Sequence, residues 1–286
     1  MFKLQDQVVA RLANTLGYEL VKAEAEKSTH SGNPDAVDLT MRGWAILNQP
    51  QLYTDKESLA KALGLFEQAL KLDPNNVDAL VGAAAAERSD FTYSGMDEKP
   101  GQIRKIEELL ANAIRIDPTN ARAYVVRGLL YRITKRTKEG AEAAQIAVRL
   151  NPNYASAYAQ LAQDQVIPAE YPLAIANIDQ AIKLSPRDPD MGRWHWIKGK
   201  TFNYLGRYGD AIREEQAALD GGFSSWAVYN HLAVANAFMG RQSEAEAAVA
   251  QARKLNPKLT IKWMRARFEE PETIDEALHK AGLPEE

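Results

Sequence analysis

Four histidines are the first place to look for chemistry in this chain of 286 residues: His30, His195, His231 and His279. None lies in an HExxH arrangement, and with no Cys the chain has no thiolate ligand, thiol nucleophile or disulfide. A zinc site needs three or four ligands, and no third group accompanies His195 and His231. Asp and Glu are spread widely along the chain, so no two stand apart as an acid and base couple. GxGxxG, GxxxxGK[ST] and GxSxG are all missing. These residues read as a non-catalytic chain with no metal site and no cofactor.

The charges point the same way. Net charge is −3, with 26% of residues charged, which gives no general attraction to nucleic acid or anionic lipid. Arg132, Lys135, Arg136 and Lys138 form one basic cluster, which reads as a solvated turn and not a nucleic-acid contact. The first residues, MFKLQDQVVARLANTLGYELVK, hold no uninterrupted apolar run that would serve a signal peptide. The longest stretch without Asp, Glu, Lys or Arg is Gly221 to Gly240, and it carries two Ser, two Asn and a His. It reads as a helix of a soluble fold and not a membrane span. The expected location is the cytoplasm.

What must position any functional side chain is a repeat. ARAYVVRGLLYRITKRTKEGAEAAQIAVRLNP and ASAYAQLAQDQVIPAEYPLAIANIDQAIKLSP superimpose at 34 residues without a gap, Tyr124 on Tyr158, Gly140 on Ala174, Ala147 on Ala181 and Pro152 on Pro186. Further copies begin near Asp35, Val77, Gly192 and Trp226, making six repeats over residues 31–257. Two are interrupted, by NQPQLYT and by SDFTYSGMDEKPG, and Thr54 with Glu57 reads as a capping box after the first interruption. Residues 1–30 form a separate N-terminal helix whose Val9, Leu12, Leu16 and Leu20 share one face. Residues 258–286 form C-terminal capping helices, with Ile261, Met264 and Phe268 on one face and a last helix from Pro271 to Ala281.

Each repeat predicts two helices. Positions 4, 7, 8 and 11 of the first helix and 20, 24 and 27 of the second pack inward, with small residues such as Ala174 and Ala181 allowing close approach. Positions 2, 5, 9 and 12 of the first helix cannot face the same core, and stacked repeats bring them onto one concave surface. That surface holds Arg88, Arg122, Leu129, Arg132, Gln163, Arg193, Trp196, Lys200, Asn203 and Asn230, with Gln160 and His231 at its border. Cationic and amide side chains around a Trp suit an acidic or polar extended peptide.

A 34-residue period of this composition resembles the tetratricopeptide-repeat (TPR) family. The resemblance implies an all-α fold, a right-handed TPR superhelix or α-solenoid of about six helix-turn-helix repeats, and a peptide-binding groove on the concave face. The family's chaperone-type carboxylate clamp asks for Lys at position 5 and Asn at position 9 of one repeat and Asn at position 6 of the next. No two repeats here supply that set.

LQDQVVARLANTLGYELVKAEA, PDAVDLTMRGWAILNQP and KAGLPEE further resemble the C-terminal TPR region of bacterial class III adenylate/guanylate cyclases. That resemblance implies a sensory or interaction module of a signalling protein, whose cyclase domain would precede Met1. Two functions follow. One is a binding module that captures a protein or peptide segment in the groove. The alternative is a structural homodimer through the Val9/Leu12/Leu16/Leu20 face. No nucleic-acid partner and no membrane insertion are expected in either.

Overall fold

The structure, a computed structural model, describes residues 35–49, 56–93, 101–268 and 270–286. The N-terminal face of Val9, Leu12, Leu16 and Leu20, and the capping role of Thr54, lie outside the described residues. The described residues form fourteen α-helices and no strand. In chain order they are α1 (Ala36–Leu47), α2 (Lys56–Leu72), α3 (Val77–Tyr93), α4 (Gln102–Ile116), α5 (Ala121–Ile133), α6 (Thr137–Leu150) and α7 (Ala155–Val166). There follow α8 (Tyr171–Leu184), α9 (Met191–Tyr204), α10 (Tyr208–Asp220), α11 (Trp226–Phe238), α12 (Gln242–Leu255), α13 (Ile261–Arg267) and α14 (Glu272–Lys280). The all-α helix-pair fold that the period implies is the one observed.

Local chemistry sets the helix starts. Asp35 caps α1 by accepting from the Asp38 amide at 2.8 Å, Asn120 caps α5 through Ala123, and Thr260 caps α13 through Trp263. The turn inside a repeat needs a left-handed residue at position 15. Gly206 (φ 70°) and Gly240 (φ 72°) supply it, while Lys135 and Ala169, both at φ 61°, take the same conformation in their repeats.

Two expectations are corrected. Ser89–Tyr93 is the last stretch of α3 and not part of an insertion. Phe91 is buried there, and the Thr92 hydroxyl donates back to the Arg88 carbonyl at 3.0 Å. Phe268 does not share a helix face with Ile261 and Met264. α13 ends at Arg267, and Phe268 is extended at φ −126° and ψ 149°.

The chain divides into two compact units. The first takes the described residues up to Leu161 together with Lys183–Pro189; the second is Ala162–Ile182 with Asp190–Glu286. In the first unit α1, α2 and α3 close around Phe66, whose ring is fully buried and meets Trp44 edge-on at 5.6 Å. α3, α4 and α5 continue that core with Val81, Ile106, Leu110 and Leu130. In the second unit α11 to α14 share a core of Val234, Val249, Leu259, Ile274 and Leu278.

Small residues at positions 20 and 27 permit these contacts. Ala174 and Ala181 are both fully buried. Ala181→Phe is therefore expected to overpack the second unit and cost about 1–3 kcal/mol. Urea unfolding of the purified variant reads this, and a midpoint equal to wild type would refute the packing role of position 27.

Candidate functional site

The residues singled out by the stripe fall in both units. In the first, the Arg122 guanidinium lies 4.3 Å from the Trp44 ring centroid and 4.0 Å from Asp78. Arg88 donates to Ser89 at 3.0 Å, and Arg132 is half-buried. Gln160 is fully buried, and its side chain packs next to Gly128. Position 6 thus points into the packing between helices. The basic turn is held internally: Arg136 covers the Tyr131 ring at 3.9 Å and pairs with Glu107 and Glu139. Hydrogen bonding to Glu139 is the main reason its pKa is raised further.

In the second unit the stripe does converge. Arg193, Trp196, Lys200 and Asn203 follow one another at spacings of 3, 4 and 3 along α9, which is one helix face. Arg193 donates to Gln163 at 3.2 Å and sits 3.6 Å from Asp190. Trp196 is half-buried, with its ring 5.8 Å from Phe223 and 6.2 Å from His231. Its indole N–H is buried and has no hydrogen-bond partner among the described residues.

Three expected contact residues are buried and engaged within the chain. Asn203 donates to the His231 carbonyl at 3.0 Å, and Asn230 faces the Met264 sulfur at 3.4 Å. His231 is buried beside Tyr204, ring to ring at 6.3 Å. α11 packs against α9, and α13 follows it in the same core, so positions 5 and 6 of this repeat become interhelical. Burial, followed by the charge on Lys200, pushes the His231 pKa well below the usual histidine value, so it is neutral.

Lys200 stands at the centre of this floor. Its ammonium meets the Glu270 carboxylate at 2.8 Å, and the two side chains are only 14% and 10% exposed. It also lies 5.3 Å from the Tyr204 ring centroid. A carboxylate of the same chain thus already pairs with Lys200 on this floor.

Below the floor is a residue that the stripe arithmetic missed. Glu215, on α10, is fully buried against Gly199, where a Cβ would come within 2.6 Å of its Oε1. Neither carboxylate oxygen has a hydrogen-bond partner among the described residues. Burial above all, then the neighbouring Glu214, pushes its pKa well up, partly opposed by Lys200. A signal was present: position 24 is Phe66, Leu110, Ala144, Ile178 and Val249 in the other repeats, and Glu only here.

His195 serves a different network, its Nδ1 2.7 Å from Glu214, which also meets Lys198 at 3.0 Å. Burial pulls the Glu214 pKa up, but those two partners outweigh it and the net direction is down. Among the described residues no group of three His, Asp or Glu is arranged to hold a metal ion. No helix of the described residues is long and apolar enough to cross a membrane.

The tetratricopeptide-repeat family model matches residues 103–155 and 169–225. These two segments, somewhat more than a third of the chain, are similar to tetratricopeptide repeats. Over 137 residues the chain is 26% identical to the probable UDP-N-acetylglucosamine–peptide N-acetylglucosaminyltransferase SPINDLY of Petunia hybrida, covering 47% of this chain and 14% of that protein. Human DnaJ homolog subfamily C member 7 is 27% identical over 131 residues, covering 44% of this chain and 26% of that protein. The alignments thus span about a quarter or less of those relatives' length. Among solved structures, the APC/C hetero-tetramer Cut9-Hcn1 superposes at TM-score 0.68 and 14% identity, over 95% of this chain and 47% of that one. PilF of Pseudomonas aeruginosa superposes at TM-score 0.55 and 14% identity, over 81% and 96%. At such identities the likeness is one of fold.

Proposed function

We propose that this chain is a non-catalytic protein-interaction module whose α9 face binds an extended acidic segment of a partner protein. The observation that carries the reading is the Arg193, Trp196 and Lys200 ladder, in which two cations flank a half-buried indole. An aromatic side chain between cations is a common anchor for a carboxylate-bearing chain. Position 9 supplies the charge, and position 5 the surface. Buried Asn203, Asn230 and His231 keep the face in place.

The test is a peptide array of matched acidic, neutral and basic extended segments, probed with wild type and Trp196→Ala. Wild type is expected to retain acidic peptides, and the variant to bind them about thirtyfold more weakly, since truncating an interface Trp costs about 2 kcal/mol. Retention should fall with salt, because the long-range attraction of an acidic peptide to the cations is screened over about 10 Å at 0.1 M. Equal retention by two equally folded proteins would refute the reading.

The reading extends to context. Leu4–Ala25, Pro34–Pro50 and Lys280–Glu286 resemble the C-terminal TPR region of class III cyclases. We accordingly propose the regulatory or sensory part of a bacterial adenylate/guanylate cyclase-type signalling protein, acting in the cytoplasm. Acidic peptide should then change cyclic-nucleotide turnover by a catalytic domain encoded in the same gene. A gene without such a domain, or turnover indifferent to peptide, would discard this extension.

A further inference from the structure

Glu270, between α13 and α14, reaches the floor that the proposed function assigns to a partner. Phe268 is extended at φ −126° and ψ 149°, and Pro271 takes φ −60° and ψ 142°. Phe268 and Glu270 stand two apart in sequence, and each is anchored. The Phe268 ring meets Trp226 at 5.8 Å and Trp263 at 5.9 Å, and those two indoles meet edge-on at 5.4 Å. Glu270 meets Lys200 at 2.8 Å. The contact joins residues 70 apart in sequence.

We propose that Phe268 and Glu270 form a built-in competitor for the α9 floor, and that the partner segment carries the same pair, an aromatic residue two places before a carboxylate. The inference rests on the reading of the floor as a peptide site and adds what its ligand looks like and how access is controlled. Lys200 accepts one carboxylate in an enclosed position, so the partner's acid must displace Glu270. Charge complementarity selects the acid, and the aromatic triangle selects the ring. The remaining oxygen of Glu270, Oε2, is buried without a hydrogen-bond partner among the described residues. The internal contact therefore leaves part of the acid unsatisfied, and this favours exchange.

The probe is the chain's own segment Ala266–Thr273, ARFEEPET, as a free peptide with blocked ends. It is titrated into the full chain, into Glu270→Gln and into the charge exchange Lys200→Glu/Glu270→Lys, each checked for helix content. Glu270→Gln keeps the shape of the segment but releases the ammonium, so the peptide should bind it at least tenfold more tightly than wild type. The exchange keeps the internal ion pair, so it should reject this peptide and take one with Lys in place of the matching Glu. Equal binding to wild type and Glu270→Gln would overturn the competitor and leave the peptide floor standing. Binding to neither protein would overturn both. If Glu270→Gln loses helix content, the folded charge exchange decides through its preference for the Lys peptide, and the absence of that preference overturns the proposal.

Discussion

Phe66→Ala is expected to lower the stability of the first unit by about 3–5 kcal/mol, the usual cost of emptying a fully buried phenyl site. Three helices meet on this ring, which has no exposed surface. Its fit is unusually close on two sides. A Cβ added at Gly43 would lie 2.7 Å from the ring, and one added at Gly82 would lie 2.3 Å from it. The two glycines are therefore the space in which the phenyl sits. Gly82→Ala should cost about 1–3 kcal/mol by overpacking. The two positions should also be coupled, because a smaller side chain at 66 makes room for a methyl at 82. In Phe66→Leu/Gly82→Ala the combined loss should fall short of the sum of the single losses by at least about 1 kcal/mol. Urea unfolding followed by near-ultraviolet circular dichroism reads each variant. Strictly additive losses would show that α3 does not owe its approach to the missing side chain at Gly82.

The helix pairs were legible because close helix contact leaves a mark in sequence. Ala147, Ala174, Ala181 and Ala218 recur where nothing larger fits, and all four are fully buried. The turn at position 15 was legible where Gly206 and Gly240 occupy it and silent at Lys135 and Ala169, since backbone conformation there is imposed by the flanking helices. The functional face was half legible. Spacing put Trp196 and Lys200 on one side of α9, but it does not tell which polar side chains a neighbouring helix will cover. Asn203, Asn230 and His231 were lost to that covering. Glu270 was invisible for another reason: it sits in an irregular segment 70 residues from Lys200, where no periodicity carries information. Glu215 was legible in principle as the one acid in an otherwise apolar column, but a search of the outward stripe never reaches position 24.

That acid gives the remaining large effect. Glu215→Leu is expected to stabilise the second unit by about 1–3 kcal/mol, because it removes two buried oxygens without hydrogen-bond partners among the described residues. Leucine restores the apolar character that position 24 has in every other repeat. The gain should depend on pH with a definite sign. Glu215 has a folded pKa raised well above its ordinary 4.5, mainly by burial. Its unfolded form therefore releases a proton that the folded form keeps. Stability is full below 4.5 and is lost at about 1.4 kcal/mol per pH unit as pH rises toward the folded pKa.

His231 has a folded pKa held well below 6.5, again mainly by burial, and acts in the opposite sense. It takes up a proton on unfolding below 6.5, so its contribution rises with pH there and is constant above. The two slopes have opposite signs, that of His231 acting only below 6.5 and that of Glu215 only above 4.5. Wild type should therefore lose stability relative to Glu215→Leu as pH rises from 4.5 toward the folded pKa of the acid, so the advantage of the variant widens over that range. Four of the five tryptophans, Trp194, Trp196, Trp226 and Trp263, lie in the second unit, so fluorescence-detected urea unfolding reports on it directly. Parallel stability profiles for the two proteins from pH 4.5 upward would mean that Glu215 is ionised or solvated in the native state, and the buried-acid account would be wrong.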